Sequence, residues 1–207
     1  TNKAQILIVE DQNIVALDIQ NRLKNLKYRV AGIASSGAGA IKKAEETLPD
    51  LILMDIMLKG DMDGINAARE IKKRINVPIV YLTAYADDDT LERAKITQPF
   101  GYILKPFDEK ELYTTIEMSL YRHKIEMEVK EKEEWFESAL MSSENSIIIT
   151  NRKGNILFVN LALVELTKLK NYELVNKNIN DVIDLFDIYN QKVNFNFNNI
   201  IENNKIE

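Results

Sequence analysis

The chain has 207 residues, a formal net charge of -5 and no cysteine. That length allows one large or two small domains, the acidic balance argues against a non-specific nucleic-acid binder with a basic face, and the lack of cysteine excludes a disulfide framework and thiol chemistry. Apolar runs reach only strand length, far short of the roughly 20 residues of a membrane helix, so neither nucleic acid nor membrane is an expected partner and a cytoplasmic setting is expected.

Four apolar runs read as buried strands: Ile6–Val9, Leu51–Met54, Ile79–Leu82 and Tyr102–Leu104. Val30–Ala34 is a fifth. Between them lie stretches of helical periodicity: Ile14, Leu17, Ile19 and Leu23, then Ala38, Ile41, Ala44 and Leu48 up to Pro49, then Ile65, Ala68 and Ile71. A Gly- and Asp-rich loop, Lys59–Gly64, precedes the third of these. Asp87–Thr90 reads as an acidic cap on a fourth helix, and Pro106 with Asp108 opens a fifth. Strand and helix in alternation predict a parallel sheet with helices on both faces. The fifth helix has no stop signal. Leu112, Ile116, Leu120, His123 and Met127 form one stripe, and no Gly or Pro occurs from Tyr121 to Ser138. A solvated linker and a helix pairing with its copy in a homodimer, over 108–138, both fit this pattern. Beyond Ser143 the chain predicts a hairpin, Ser146–Thr150 and Asn155–Val159, then a short helix capped by Asn160 on Leu163 and Leu166. An Asn-rich tail follows. Thr1 stands where an initiator Met would, so the sequence is expected to be a fragment.

Ligands of parallel α/β sheets bind at the carboxyl ends of the strands. Glu10, Asp11, Asp55, Thr83 and Lys105 all lie at or just past such ends. Hard cations take oxygen ligands, so Glu10, Asp11 and Asp55 are candidate magnesium ligands, direct or through water. A cation there would relieve the mutual repulsion of the carboxylates and neutralise an incoming phosphoryl group, leaving a carboxylate free to act as nucleophile. Lys105 would pair with phosphoryl oxygens, and the Thr83 hydroxyl would donate to them. Singly, each residue also fits a helix cap, a turn, a strand end or a solvated charge. Jointly, their order along the strands favours the functional reading.

These motifs, Ile6–Asp11, Asp50–Ile56, Met62-Asp63-Gly64, Val80–Ala84 and Gly101–Phe107, resemble a response-regulator receiver domain over residues 1–122. The resemblance implies a flavodoxin-like sheet in the order 2-1-3-4-5, as in chemotaxis receivers. It implies that Asp55 is phosphorylated by a histidine kinase or phosphotransfer protein, and that Asp11, Asp55 and the main-chain carbonyl of Met57 hold magnesium. Asp55, Thr83 and Lys105 are then the catalytic set, Thr83 and Tyr102 the switch pair, and Lys105–Pro106 a cis peptide. Glu10 replaces the more usual Asp, so its metal contact is expected through water. The Asp55–Gly64 loop is one residue longer than the common pattern and lacks its proline. Met57 and Tyr85 flank the expected path of hydrolytic water, and their side chains predict slow self-dephosphorylation if they cover the site.

Ile147–Thr150, Gly154–Asn160 and Tyr172–Lys177 resemble the start of a PAS domain, here an incomplete α+β segment. His123 is the only histidine, and a solvated helix residue is its expected state. The PAS-like part has no His for haem and no Cys for a flavin adduct. Trp135 and Phe136 are expected to be helix-packing anchors. The expected division is a receiver over 1–122, a helical linker over 123–137 and a partial PAS-like domain over 138–207. The function that follows is phosphorelay signalling by a module that is not a self-contained enzyme, since no segment resembles a kinase domain. The alternatives are the N-terminal regulatory part of a hybrid sensor histidine kinase and a pseudo-receiver scaffold, the latter opposed by intact Asp55, Thr83 and Lys105.

Overall fold

The computed structural model describes residues 3–84, 88–186, 189 and 192–193. The chain divides into two compact units, Thr1–Glu128 and Val129–Glu207. In the first, strands and helices alternate: β1 Gln5–Val9, α1 Asn13–Asn25, β2 Arg29–Ala34, α2 Gly37–Thr47, β3 Leu51–Asp55, α3 Gly64–Lys72, β4 Ile79–Thr83, α4 Asp88–Ile96 and β5 Gly101–Leu104, followed by α5 Glu109–Met141. The five strands form one sheet in the order β2-β1-β3-β4-β5, with every neighbouring pair parallel. The expected doubly wound α/β fold is therefore present.

The apolar runs are unbroken because both faces of the sheet are covered. Side chains alternate across a strand, so Leu7 and Val9 join Ile52, Met54, Ile65, Ala68 and Tyr81 in one core. Ile6 and Ile8 face the other way, toward Leu53, Leu82, Ile19, Leu23, Leu112 and Ile116. The starts of α2, α3 and α5 are fixed by side-chain caps. Ser36 Oγ accepts from Gly39 N at 3.2 Å, Asp63 Oδ1 from Asn66 N at 2.8 Å and Asp108 Oδ1 from Glu111 N at 2.7 Å.

Two helical stripes are narrower than the sequence predicted. In α1, Ala16, Ile19 and Leu23 are buried, whereas Ile14 is 85% exposed and Leu17 also faces solvent. In α2 the buried positions are Gly37, Ala40 and Ala44, and exposed Leu48 closes the helix with a left-handed backbone at φ 44. The acidic run Asp87–Asp89 lies outside the described side chains. The α5 stripe begins on the receiver's own core: Leu112 and Ile116 are buried, and Leu120 packs beside them. His123 is half-buried, its ring edge-on to Phe100 at 5.5 Å, not solvated as expected. The apolar residues that α5 exposes lie elsewhere, among them Met118, Tyr121, Ile125, Val129, Trp135 and Phe136.

The second unit holds an antiparallel hairpin, β6 Ile148–Thr150 with β7 Ile156–Val159. Three short helices follow, α6 Leu161–Thr167, α7 Asn171–Leu174 and α8 Ile179–Val182, and then the two-stranded β8 Leu185–Phe186 and β9 Lys192–Val193. Its core is small: Ile156, Val159, Leu163, Leu174 and Ile179. Asn160 caps α6 as expected, but Leu166 is exposed. Trp135 is 72% exposed and Phe136 is exposed beside it, so neither is the packing anchor that was expected. Aromatic side chains on a highly charged helix carry no sequence signal that separates the two states.

Candidate functional site

The carboxyl ends of β1, β3, β4 and β5 bring the predicted residues together. Glu10 follows β1 and is fully buried; its main-chain N–H donates to Ala34 O at 2.9 Å, which fixes the strand end. Asp55 ends β3 and is buried. Carboxylate oxygens of Glu10, Asp11 and Asp55 all lie within 4.8 Å of one another. Lys105, just past β5, is positioned by its own N–H, which donates to Thr83 O at 2.7 Å. Its Nζ donates to Glu10 Oε2 at 2.5 Å and to Asp55 Oδ2 at 2.7 Å. The second oxygen of Asp55 accepts from Met57 N at 3.0 Å, and that of Glu10 from Gln12 N at 3.1 Å. The peptide between Lys105 and Pro106 is cis, as the resemblance implied.

The electrostatics follow from this geometry. Burial, and then the charge of Asp55, raise the pKa of Glu10 above the usual carboxylate range against the opposing hydrogen bond from Lys105. Burial alone would lower Lys105, but its hydrogen bonds to Asp55 and Glu10 outweigh it and leave its pKa raised. Lys105 is thus a fixed positive charge. The donor set is all oxygen and anionic, which fits a hard divalent cation such as magnesium.

Thr83 and Tyr102 stand beside this cluster in the sheet, on neighbouring strands β4 and β5. Both hydroxyl oxygens are buried, and neither has a hydrogen-bond partner among the described residues. Buried polar groups are nearly always satisfied, so a pair of such atoms is a pointer to function. The Tyr102 ring lies 5.8 Å from that of Tyr81, whose phenol burial pushes up to about 12. Tyr81 Oη and Thr97 Oγ1 share a hydrogen bond at 2.8 Å, and Thr97 Oγ1 also bonds Ala94 O at 2.7 Å at the end of α4.

Met57 is 69% exposed, which favours a side chain that faces solvent over one that covers the site. Tyr85 lies outside the described residues. Other features had no signal in the sequence. Lys59 Nζ lies 3.1 Å from Asp11 Oδ2, and exposed Ile14 sits with Val15, Arg22, Pro106 and Phe107 around a cleft of about 470 Å³ next to Lys105. The Lys59–Gly64 loop was legible as a loop, but its partner 48 positions away was not.

Residues 6–117 match the model of the response regulator receiver domain, and residues 134–193 match the PAS fold. The chain belongs to the response regulator receiver family. The Mycobacterium tuberculosis transcriptional regulatory protein PdtaR is 36% identical over 118 residues, 57% of this chain and 57% of that protein. The chain thus matches little more than half the length of such a relative. The N-terminal domain of a response regulator/sensory box/GGDEF three-domain protein from Carboxydothermus hydrogenoformans is 37% identical with a TM-score of 0.56, covering 59% of this chain and 98% of that one. The receiver domain of sensor histidine kinase PA1611 from Pseudomonas aeruginosa PAO1 is 35% identical with a TM-score of 0.53, covering 57% and 98%. In that structure a magnesium ion is coordinated in the active-site cleft. The family places this chain in two-component signalling, with a PAS segment after the receiver. Among the described residues, no helix is long and apolar enough to cross a membrane.

Proposed function

We propose that Asp55 accepts a phosphoryl group from a phosphohistidine on a histidine kinase or phosphotransfer protein, and that its phosphorylation state controls the chain. The observation that carries this reading is Asp55 itself: buried, gripped by Lys105, and set in a cluster of three carboxylates beside an unpartnered Thr83 hydroxyl. A carboxylate oxygen of Asp55 attacks phosphorus, an O–P bond forms, and the P–N bond breaks with its electron pair returning to the donor imidazole. Asp11, Asp55 and the main-chain carbonyl of Met57 would hold magnesium, with Glu10 acting through water. An ion bound there would neutralise charge on the phosphoryl oxygens. Lys105 exchanges its bond to Asp55 for one to a phosphoryl oxygen. Thr83 Oγ1 gains the acceptor it lacks, and the Tyr102 ring follows it inward.

The donor's approach is supported by the surface beside Lys105. Ile14 is exposed on α1 and lines the cleft bounded by Pro106 and Phe107, and Leu17 is exposed one turn further along the helix. An apolar patch at the mouth of a polar site suits a packed helix from the phosphodonor. No nucleic acid or membrane enters this reading, and the chain works in the cytoplasm. It is not a self-contained enzyme beyond catalysing its own phosphoryl acceptance and loss.

The division proposed is a receiver over 1–122, a helical linker over 123–137 and a partial PAS-like domain over 138–207. The exposed face of α5, with Met118, Tyr121, Ile125, Val129 and Phe136, would pair with a second copy. Sedimentation of wild type beside Ile125→Asp tests the pairing: a dimer that the substitution dissociates supports it, and a monomeric wild type rejects it. The likeness to the receiver of a sensor histidine kinase favours one second reading, the N-terminal regulatory part of a hybrid kinase.

The test of the central reading is incubation with acetyl phosphate, followed by intact mass. The protein should gain one phosphoryl group only with magnesium present, and Asp11→Asn should lose most of that gain. Equal gain without magnesium would reject the metal-dependent mechanism.

A further inference from the structure

We propose that Lys59 is a tethered cation that competes with magnesium for Asp11, so that metal entry releases the β3–α3 loop; this inference rests on the metal site of the preceding reading. Three carboxylates converge in the pocket, and two ammonium groups answer them: Lys105 on Glu10 and Asp55, and Lys59 on Asp11. The two lysines are held very differently. Lys105 is largely buried and bonds two carboxylates at 2.5 and 2.7 Å. Breaking such a pair leaves buried charge uncompensated. The Lys59 side chain is 82% exposed and forms one ion pair among the described residues, at 3.1 Å, whereas the Asp11 side chain is only 6% exposed. A single contact from a solvated ammonium is more easily exchanged than the two contacts of buried Lys105. A cation that needs oxygens of both Asp11 and Asp55 therefore displaces Lys59, not Lys105.

The loop that carries Lys59 is built to let go. Its two ends are pinned, because Ile56 N donates to Leu82 O at 3.1 Å, Gly64 N to Ile56 O at 3.0 Å, and Asp63 caps α3. Next to Lys59, Gly60 has φ +109, and a Cβ built there meets nothing within 4 Å. The chain at this point is in a conformation that glycine adopts freely, with open space around it. Release of Lys59 can thus move residues 59–61, while Met57, bonded to Asp55, and Leu58 and Met62, packed on the core, stay in place. Magnesium occupancy would be read out as a change in this loop, on the lip of the phosphorylation site. Until the metal arrives, Lys59 supplies the positive charge that lets three acids share one pocket.

The test is calorimetric titration of the full chain with magnesium chloride, for wild type, Lys59→Ala, Lys59→Arg and Lys42→Ala. Lys42 is an exposed lysine on α2 that pairs with Glu46 and serves as a control for bulk charge. Lys59→Ala should bind magnesium about two- to five-fold more tightly than wild type, and Lys59→Arg and Lys42→Ala should stay close to it. The amide resonances of Gly60 and Asp61 should shift on metal addition in wild type and already be shifted in metal-free Lys59→Ala. Equal or weaker binding by Lys59→Ala overturns the proposal, as does equal tightening in Lys42→Ala. Absence of magnesium binding in every variant would overturn the metal site itself, a separate result from failure of Lys59 alone.

Discussion

A Cβ added at Gly64 would stand 1.9 Å from the carbonyl oxygen of Asp55. The first turn of α3 therefore rests directly on the main chain of the residue that carries the chemistry. Gly64→Ala must drive α3 and the end of β3 apart, and overpacking of this kind costs about 1–3 kcal/mol. The expected outcome is a lower urea midpoint together with slower phosphorylation by acetyl phosphate. An unchanged midpoint would contradict the close approach.

The hydroxyls of Thr83 and Tyr102 offer a second test. Each is a buried polar atom without a partner, a state that costs free energy in the unphosphorylated protein. Thr83→Val and Tyr102→Phe should each raise stability by about 1 kcal/mol. Both should still be phosphorylated, yet Thr83→Val should show smaller shifts of the Tyr102 ring resonances on phosphorylation. Loss of stability in both variants would mean that the hydroxyls are satisfied in solution.

His123 should titrate below its ordinary value. Burial against Phe100 lowers its pKa, Glu126 opposes that, and Lys72 adds to it. The groups facing it thus come from α3 and α5. Because the folded pKa lies below the unfolded one, the unfolded chain takes up the proton first as pH falls. The His123 contribution to receiver stability is then complete above about pH 6.5 and is lost as pH drops through that value toward the folded pKa. His123→Gln should remove this part of the acid sensitivity. An imidazole midpoint above 6.5 by NMR would reverse the sign and contradict the burial.

Much of this was legible in the sequence because the sheet is covered on both faces. Runs such as Ile6–Val9 and Leu51–Met54 have no polar residue to confuse the strand assignment, and Glu10, Asp11, Asp55, Thr83 and Lys105 lie at or just past the ends of such runs. The same periodicity misled where apolar side chains serve a surface. Ile14 and Leu17 have the spacing of core residues, yet they face solvent, Ile14 beside the site. The α5 stripe was read correctly as continuous, but its part from Leu112 to Leu120 is used inside the receiver, and the exposed face lies a fraction of a turn away. Contacts between distant positions, Lys59 with Asp11 and Gly64 with Asp55, leave no local pattern at all.

In the second unit, Asn160 is a fully buried hub. Its Oδ1 accepts from Ile147 N at 2.8 Å and Leu163 N at 3.2 Å. Its Nδ2 faces Leu140 O at 3.3 Å, Ser143 O at 3.2 Å and Asn145 O at 2.7 Å. One side chain thus ties the last turn of α5 to the hairpin and to the start of α6. Asn160→Ala strands these main-chain groups, at a cost of about 3 kcal/mol or more. Hydrogen exchange should speed up over residues 140–163 and leave the receiver amides unchanged. Retained protection over that span would show that the hub is dispensable.

The central claim is that Asp55 is the phosphoryl acceptor. The most direct measurement is peptide mapping of the chain after exposure to acetyl phosphate and magnesium, for wild type beside Asp55→Asn. The account predicts one labelled peptide in wild type, carrying the modification on Asp55, and none in Asp55→Asn. Undiminished labelling of Asp55→Asn, or a label on another residue in wild type, would contradict it.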